Sequence, residues 1–298
     1  AEMQMPAIAL TDFSNLFAAV KFYRAAVGAG IKPIFGCDFI LSSDEGELNE
    51  EFSLLVIDGL GYKNLIEIIS RAYVEGQERG EPRVRREWLT ELNSGLICLS
   101  GASRGDVGQW LLKDRVAEAR EAANWWNKTF PDRFYLEVQR TGRPGDEEYL
   151  HQAVNLASAL ELPIVATNDV RFIEVEDFEA HETRVCIHDG FSLADPRKVQ
   201  KYSEQQYLRS AEEMSELFSD LPEAIENTVE IAKRCNLKIE LGESYLPAYP
   251  TPEGSSEDDF LRECSREGLR ERLRVLFPDI ETCDPQLKTY WDRLEEEL

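Results

Sequence analysis

The chain has 298 residues, 43% hydrophobic and 30% charged, a globular composition long enough for one large or two medium domains. Its 33 Lys and Arg against 57 Asp and Glu give a net charge of −24, which argues against this chain alone gripping a nucleic-acid backbone through basic contacts. No apolar run nears the roughly 18 residues of a membrane span, and no charged-then-apolar leader is present, so a cytoplasmic location without a membrane partner is expected.

The first stretch, PAIALTDFSNL at residues 6–16, reads as a buried strand that stops at Thr11-Asp12. Ser14 or Asn15 is placed to cap the helix that follows, residues 15–29, whose apolar positions recur at spacings of three and four. KPIFGCDFIL at 32–41 is a second strand ending near Cys37-Asp38. An acidic loop at 42–51 leads to a third strand at 52–57, which reaches Asp58. Then come a helix at 61–73, a charged loop at 78–86, a short helix at 88–92 and a fourth strand, GLICLS at 95–100. The Gly-rich turn 101–108 lacks the GK[ST] of a P-loop and is a weak phosphate signal.

Helices at 106–113 and 116–130 precede a fifth strand, RFYLEVQ at 133–139, which carries Glu137. A helix at 146–160 and a sixth strand at 162–167 follow, the latter closing on Asn168-Asp169. Strands alternating with helices imply a parallel α/β sheet. Recurring strand-end acids favour a closed barrel with a site at one mouth over a doubly wound open sheet. Beyond residue 177 the pattern turns helical, with helices at 178–188, 211–218 and 222–235, a short strand at 237–241, and a Pro-rich linker at 245–252. Two charged amphipathic helices, 256–276 and 285–298, complete the chain.

Asp12, Asp38, Asp58, Glu137 and Asp169 are thus candidates to ring a barrel mouth. Phosphate-ester hydrolysis there needs hard oxygen ligands and imidazoles around two or three metal ions. Only His151, His181 and His188 are available, and none lies beside a strand-end acid. Carboxylates without imidazole are at most weak Mg²⁺ or Mn²⁺ ligands, with Asp12, Asp38 and Asp169, and His181 beside them, the weak candidates; alternatively the acids cap helices and bind loop amides. No nucleophile elbow, HExxH or CxxC pattern occurs. Cys37, Cys98, Cys186, Cys235, Cys264 and Cys283 read as reduced thiols, the first three within or beside apolar segments.

Several segments resemble a known family: ALTDFSNLFAAVKFYRAAVGAGIKPIFGCDF, GLICLSG…GDVG, PDRFYLEVQRTGRP, LPIVATNDVRF and EDFEAHETRVCIHDG. They are similar to the PHP (polymerase and histidinol phosphatase) domain at the N-terminus of the bacterial replicative polymerase III alpha-subunit family. The resemblance implies a distorted TIM-like (β/α)7 barrel, here without its first strand, over residues 1–245. It implies a linker and the start of the polymerase palm over 246–298. Metal-binding members carry His, Asp, Glu and Cys ligands at the strand ends.

Here those positions read Asp12-Phe13, Asp38, Ala102 and Asp169-Val170-Arg171, with His181 at a commonly retained place. The resemblance therefore implies a catalytically inactive scaffold with no cofactor of its own, in which Arg171 neutralises Asp169 or Asp12. It implies docking of the proofreading exonuclease (epsilon) subunit within the polymerase core and replisome, for which Trp125, Trp126, Tyr202 and Tyr207 are candidate exposed aromatics. The polymerase itself would use Mg²⁺ on palm acids outside this chain. The alternative is a phosphoesterase or pyrophosphatase acting through the surviving acids.

Overall fold

The computed structural model describes residues 2–42, 50–195, 197, 199–244, 246, 249–281 and 284–298. The chain divides into two units, Ala1–Ile239 and Glu240–Leu298. In the first, short apolar runs become strands and the segments of helical period wrap them. The order is β1 (Ala7–Leu10), α1 (Ala19–Gly28), β2 (Lys32–Leu41), β3 (Glu50–Val56) and α2 (Gly59–Val74). A small hairpin of β4 (Gln77–Glu78) and β5 (Glu81–Pro82) occupies the expected charged loop. Then follow α3 (Arg86–Leu92), β6 (Leu96–Leu99), α4 (Asp106–Leu111), α5 (Val116–Thr129), β7 (Phe134–Gln139), α6 (Asp146–Leu160) and β8 (Ile164–Thr167). Helices α7 (Phe178–Asp189), α8 (Ala211–Leu217) and α9 (Pro222–Arg234) end the unit.

Six strands form one sheet in the order β1-β2-β3-β6-β7-β8. The sheet curls, with helices around it, into a distorted TIM-like barrel. Strand β3 departs from the all-parallel expectation: it runs antiparallel to both β2 and β6. The reason is length. Only residues 42–49 separate β2 from β3, whereas a parallel crossover needs about a dozen residues or more. The expected loop 42–51 falls mostly on residues outside those described, and Glu50 and Glu51 belong to β3.

Two further expectations are corrected. Helix α1 begins at Ala19 and not at residue 15, because Ser14 takes a left-handed backbone (φ 53°) and Asn15 Oδ1 closes a turn by accepting from Phe17 N at 3.0 Å. Residues 237–241 form no strand; Leu237 and Ile239 instead lay their side chains on the core.

The main core is an apolar cluster between sheet and helices, and a second, smaller one gathers Ile34, Leu55, Ile97, Leu99, Tyr135 and Val165 with Ile231 of α9. Trp126 is the largest fully buried side chain of the main core and stands near Phe52, Phe130 and Phe134, with ring centroids 5.1–6.1 Å away. Its indole N–H donates to both Asp106 oxygens at 2.9 Å, which satisfies a polar atom that burial would otherwise orphan. Trp126 is therefore no docking aromatic, in contrast to the sequence expectation. Helix α2 is capped by Asp58, whose carboxylate accepts from Leu60 N and Gly61 N at 3.0 Å. A Cβ on Gly61 would lie 1.8 Å from the Gly95 carbonyl oxygen. Gly61→Ala should thus lower stability by about 3 kcal/mol, read as a shift in urea midpoint, because backbone and not a flexible side chain must move.

In the second unit, Leu273 on α10 (Glu257–Leu276) is buried, as is Leu287 just before α11 (Lys288–Glu297). Arg266 pairs with Glu295 at 2.8 Å, and the Arg270 guanidinium lies 5.9 Å from the Trp291 ring.

Candidate functional site

Strand polarity decides which acids share an end of the barrel. Strands β1, β2, β6, β7 and β8 point their C-termini one way, and β3, being reversed, brings its N-terminus to the same mouth. Glu51 therefore joins the mouth. Asp58, at the opposite end of β3, does not, and it serves as a helix cap. Asp38 lies within β2 and not at its end, but a bridge to Phe13 sets it level with the close of β1. The Asp38 amide donates to Asp12 O at 3.3 Å, and Ser14 N donates to Asp38 O at 2.8 Å.

The mouth is organised on Asp169. Its side chain is 7% exposed, and Arg104, Arg143 and Arg171 converge on it. Arg104 and Arg143 reach Oδ2 at 3.0 and 2.9 Å, and Arg171 reaches Oδ1 at 2.5 Å. Gln206 Nε2 adds a hydrogen bond to Oδ2 at 2.8 Å and one to the Asp169 carbonyl at 3.0 Å. Arg104 also pairs with Glu51 at 3.2 Å. Arg143 donates to Thr141 Oγ1 and to Gln139 Oε1, which ties it to the end of β7. These are charge-assisted contacts around a largely dehydrated carboxylate, the strong kind of ion pair.

Two more acids stand behind this cluster. Glu137, buried in β7, accepts from Gly101 N at 3.1 Å, from Gln139 Nε2 at 3.0 Å and from Thr167 Oγ1 at 2.5 Å. Burial raises its pKa, against the lowering effect of the Thr167 hydrogen bond. Asp38 accepts from Ser53 Oγ at 2.6 Å. Burial pushes its pKa up to about 7; Ser53 works against this, and the Glu137 charge adds to it. Glu51 is also raised by burial, with Arg104 opposing.

The remaining sequence candidates separate. The carboxylate of Asp12 has no ion pair or hydrogen bond among the described residues, and the ion pair of Arg171 is with Asp169, not Asp12. Phe13 is exposed and Ala102 is buried; Ala102 has a left-handed backbone (φ 49°) at the corner after β6. His181, on α7, lies edge-on to Tyr202 with centroids 4.7 Å apart and near Phe172 at 5.5 Å. Burial, and then the Arg184 charge, lower its pKa. His188 is exposed on the same helix, and His151 Nδ1 lies 2.6 Å from the Glu147 carbonyl.

The Gly-rich turn is a packing device: a Cβ on Gly105 would lie 1.7 Å from the Ser100 carbonyl. Cys37, Cys98, Cys186 and Cys235 are buried free thiols, Cys264 is an exposed one, and Cys283 lies outside the described residues.

A cluster of metal ions does not fit this mouth. Both oxygens of Asp169 already face guanidinium groups, and the side chains of Phe13, Ala102 and Arg171 carry no metal-ligating atom. Among the described residues no three His, Cys, Asp or Glu side chains are grouped to hold a metal ion.

Sequence reasoning missed Arg104, Arg143, Glu51 and Gln206. A signal for the arginines was present: Arg104, Arg143 and Arg171 each lie four or five residues beyond the end of β6, β7 or β8.

A distorted barrel that gathers acids at its strand ends defines a class, and residues 1–141 match the family model described as the PHP domain. Over its whole length the chain is similar to curated DNA polymerase III alpha subunits. It is 56% identical over 300 residues to that of Pseudomonas fluorescens, covering 99% of this chain and 26% of that protein. It is 53% identical over 299 residues to that of Escherichia coli strain K12, covering 100% and 26%. The chain thus matches DNA polymerase III alpha subunits along its full length, with a PHP-domain match over its first 141 residues, and spans about a quarter of the length of these relatives.

Among solved structures, a chain from Bifidobacterium adolescentis described as a candidate metal-dependent phosphoesterase aligns at TM-score 0.39 and 9% identity. That alignment covers 72% of this chain and 86% of the other.

Proposed function

We propose that this chain is a catalytically silent scaffold domain of a replicative DNA polymerase, acting in the cytoplasm within the polymerase core. The observation that supports this reading is the environment of Asp169. Where metal-binding PHP domains hold cations between strand-end ligands, three guanidinium groups neutralise the acid instead. The domain needs no cofactor in this role. Residues 240–298, with their charged amphipathic helices, serve as the connector toward the palm, whose own acids and Mg²⁺ perform nucleotidyl transfer.

The partner in this reading is the proofreading exonuclease subunit. The acidic balance of the chain suits a protein surface with basic character better than DNA. Mixed at micromolar concentration, this chain and the exonuclease subunit should co-elute on gel filtration; separate elution of two folded proteins would refute the docking. Silence is checked separately. After incubation with Mn²⁺ or Zn²⁺ and desalting, the expected metal content is below about one tenth of an ion per chain, with no hydrolysis of a chromogenic phosphodiester. Stoichiometric metal would refute the metal-free reading, and hydrolysis abolished by Asp12→Asn would establish a phosphoesterase.

A further inference from the structure

Residues 202–209 cross the mouth as an irregular segment between α7 and α8. Gln206 is its buried residue, 0% exposed, and is an uncharged side chain set among charges. Its amide nitrogen spans the carbonyl and carboxylate of Asp169, and its amide oxygen accepts from Ser203 N at 3.0 Å. Its backbone oxygen accepts from Arg171 N at 2.8 Å.

On either side the segment is stitched down by polar contacts. Asn168 Nδ2 donates to the carbonyls of Gln205 and Tyr207, both at 2.8 Å. Leu208 N donates to Phe172 O at 3.1 Å, and Ser203 Oγ donates to Thr141 O. Tyr202 lies beneath Arg171, 5.6 Å from its guanidinium, and against His181.

Asp169 itself has a left-handed backbone, φ 44°, a conformation that costs energy for a residue with a Cβ and persists where surroundings hold it. The groups that hold it include Gln206 and the three arginines.

We propose that residues 202–209 are a strap latched by Gln206: closed, it keeps Asp169 in its left-handed turn and the arginine cluster assembled; open, it exposes the mouth. The strap rests on hydrogen bonds more than on buried apolar surface, which places it at the low end of local stability. It therefore opens as a unit while β7 and β8 remain paired. The device is independent of whether the domain docks a subunit.

The test is native-state hydrogen exchange on the 298-residue chain, run beside carbodiimide footprinting of the Asp169 carboxyl in graded urea. The amides of Arg171 and Leu208 are expected to exchange through one common opening, at least tenfold more populated than the opening that frees β7 and β8. Asp169 labelling should follow that same opening. Gln206→Ala, and separately the longer apolar Gln206→Met, should raise both exchange of residues 202–209 and Asp169 labelling about tenfold, with β2 and β3 unchanged.

Strap amides that exchange only with the whole sheet would overturn the proposal, as would Asp169 labelling that ignores strap opening. If neither variant folds, the wild-type comparison of the two openings still decides.

Discussion

Asp169→Ala is expected to destabilise the domain by about 3–5 kcal/mol, since it leaves partly buried charges without their partner. The carboxylate is 7% exposed, and the arginines around it are 14–32% exposed, so water recovers little of the lost interaction. Alanine also inherits the left-handed backbone at φ 44°, at a further cost of about 1 kcal/mol. Asp169→Asn separates the two effects, because asparagine tolerates that backbone and keeps the shape while removing the charge.

The asparagine variant should therefore be less damaging than alanine by about 1 kcal/mol. Combining Asp169→Ala with Arg143→Met should recover part of the loss, since one unpaired guanidinium is then absent. Urea unfolding at constant slope is the measurement. Equal stability of Asp169→Ala and wild type would mean that the arginine cluster contributes nothing to the fold.

The second expectation concerns pH. Asp38 is held up to about 7 in the folded protein, chiefly by burial, whereas an unfolded aspartate titrates near 4. Below about pH 4 the group is protonated in both states and has no effect on stability. As pH rises from about 4 to 7 the unfolded chain loses this proton while the folded chain retains it, so stability falls. Above about 7 the buried carboxylate is ionised and the penalty is full, about 4 kcal/mol.

Glu137 and Glu51 are raised in the same direction and add to the trend. Asp38→Asn removes the titrating group while keeping an acceptor for the Ser53 hydroxyl. Its stability relative to wild type should then rise steadily between pH 5 and pH 8, measured as urea midpoints at both. Parallel profiles would show that Asp38 does not carry the effect.

Much of the barrel was readable from spacing alone. The apolar runs that became β2, β7 and β8 and the helical period of α6 stand out locally, because a strand or helix buries residues that are close in sequence. That Phe13 and Arg171 stand where the resemblance implies imidazoles was equally visible. Direction was legible only in the brevity of the loop between β2 and β3, too short for a parallel crossover, and not in the strand itself. Nothing local in EEFSLLV distinguishes a parallel strand from an antiparallel one, and that single choice moved Glu51 into the mouth and Asp58 out of it.

Docking aromatics fared in the same way. Trp125 and Trp126 are adjacent in the sequence, yet the second is fully buried because helix α5 turns it onto the sheet.

The sequence by itself determined that most of this chain alternates strand and helix, sets acids within or just beyond its strands and holds three histidines, none beside those acids. Those properties reside in single residues and their near neighbours. Only the tertiary structure decided what answers the acids. Arg104 and Asp169 are 65 positions apart, and Gln206 and Asp169 are 37 apart. Their meeting depends on the curl of the sheet and the return of the chain over its mouth. Electrostatic pairing is set by distance and dehydration in space; the spacing of the three arginines behind their strands marks them as candidates but does not say which acid they meet.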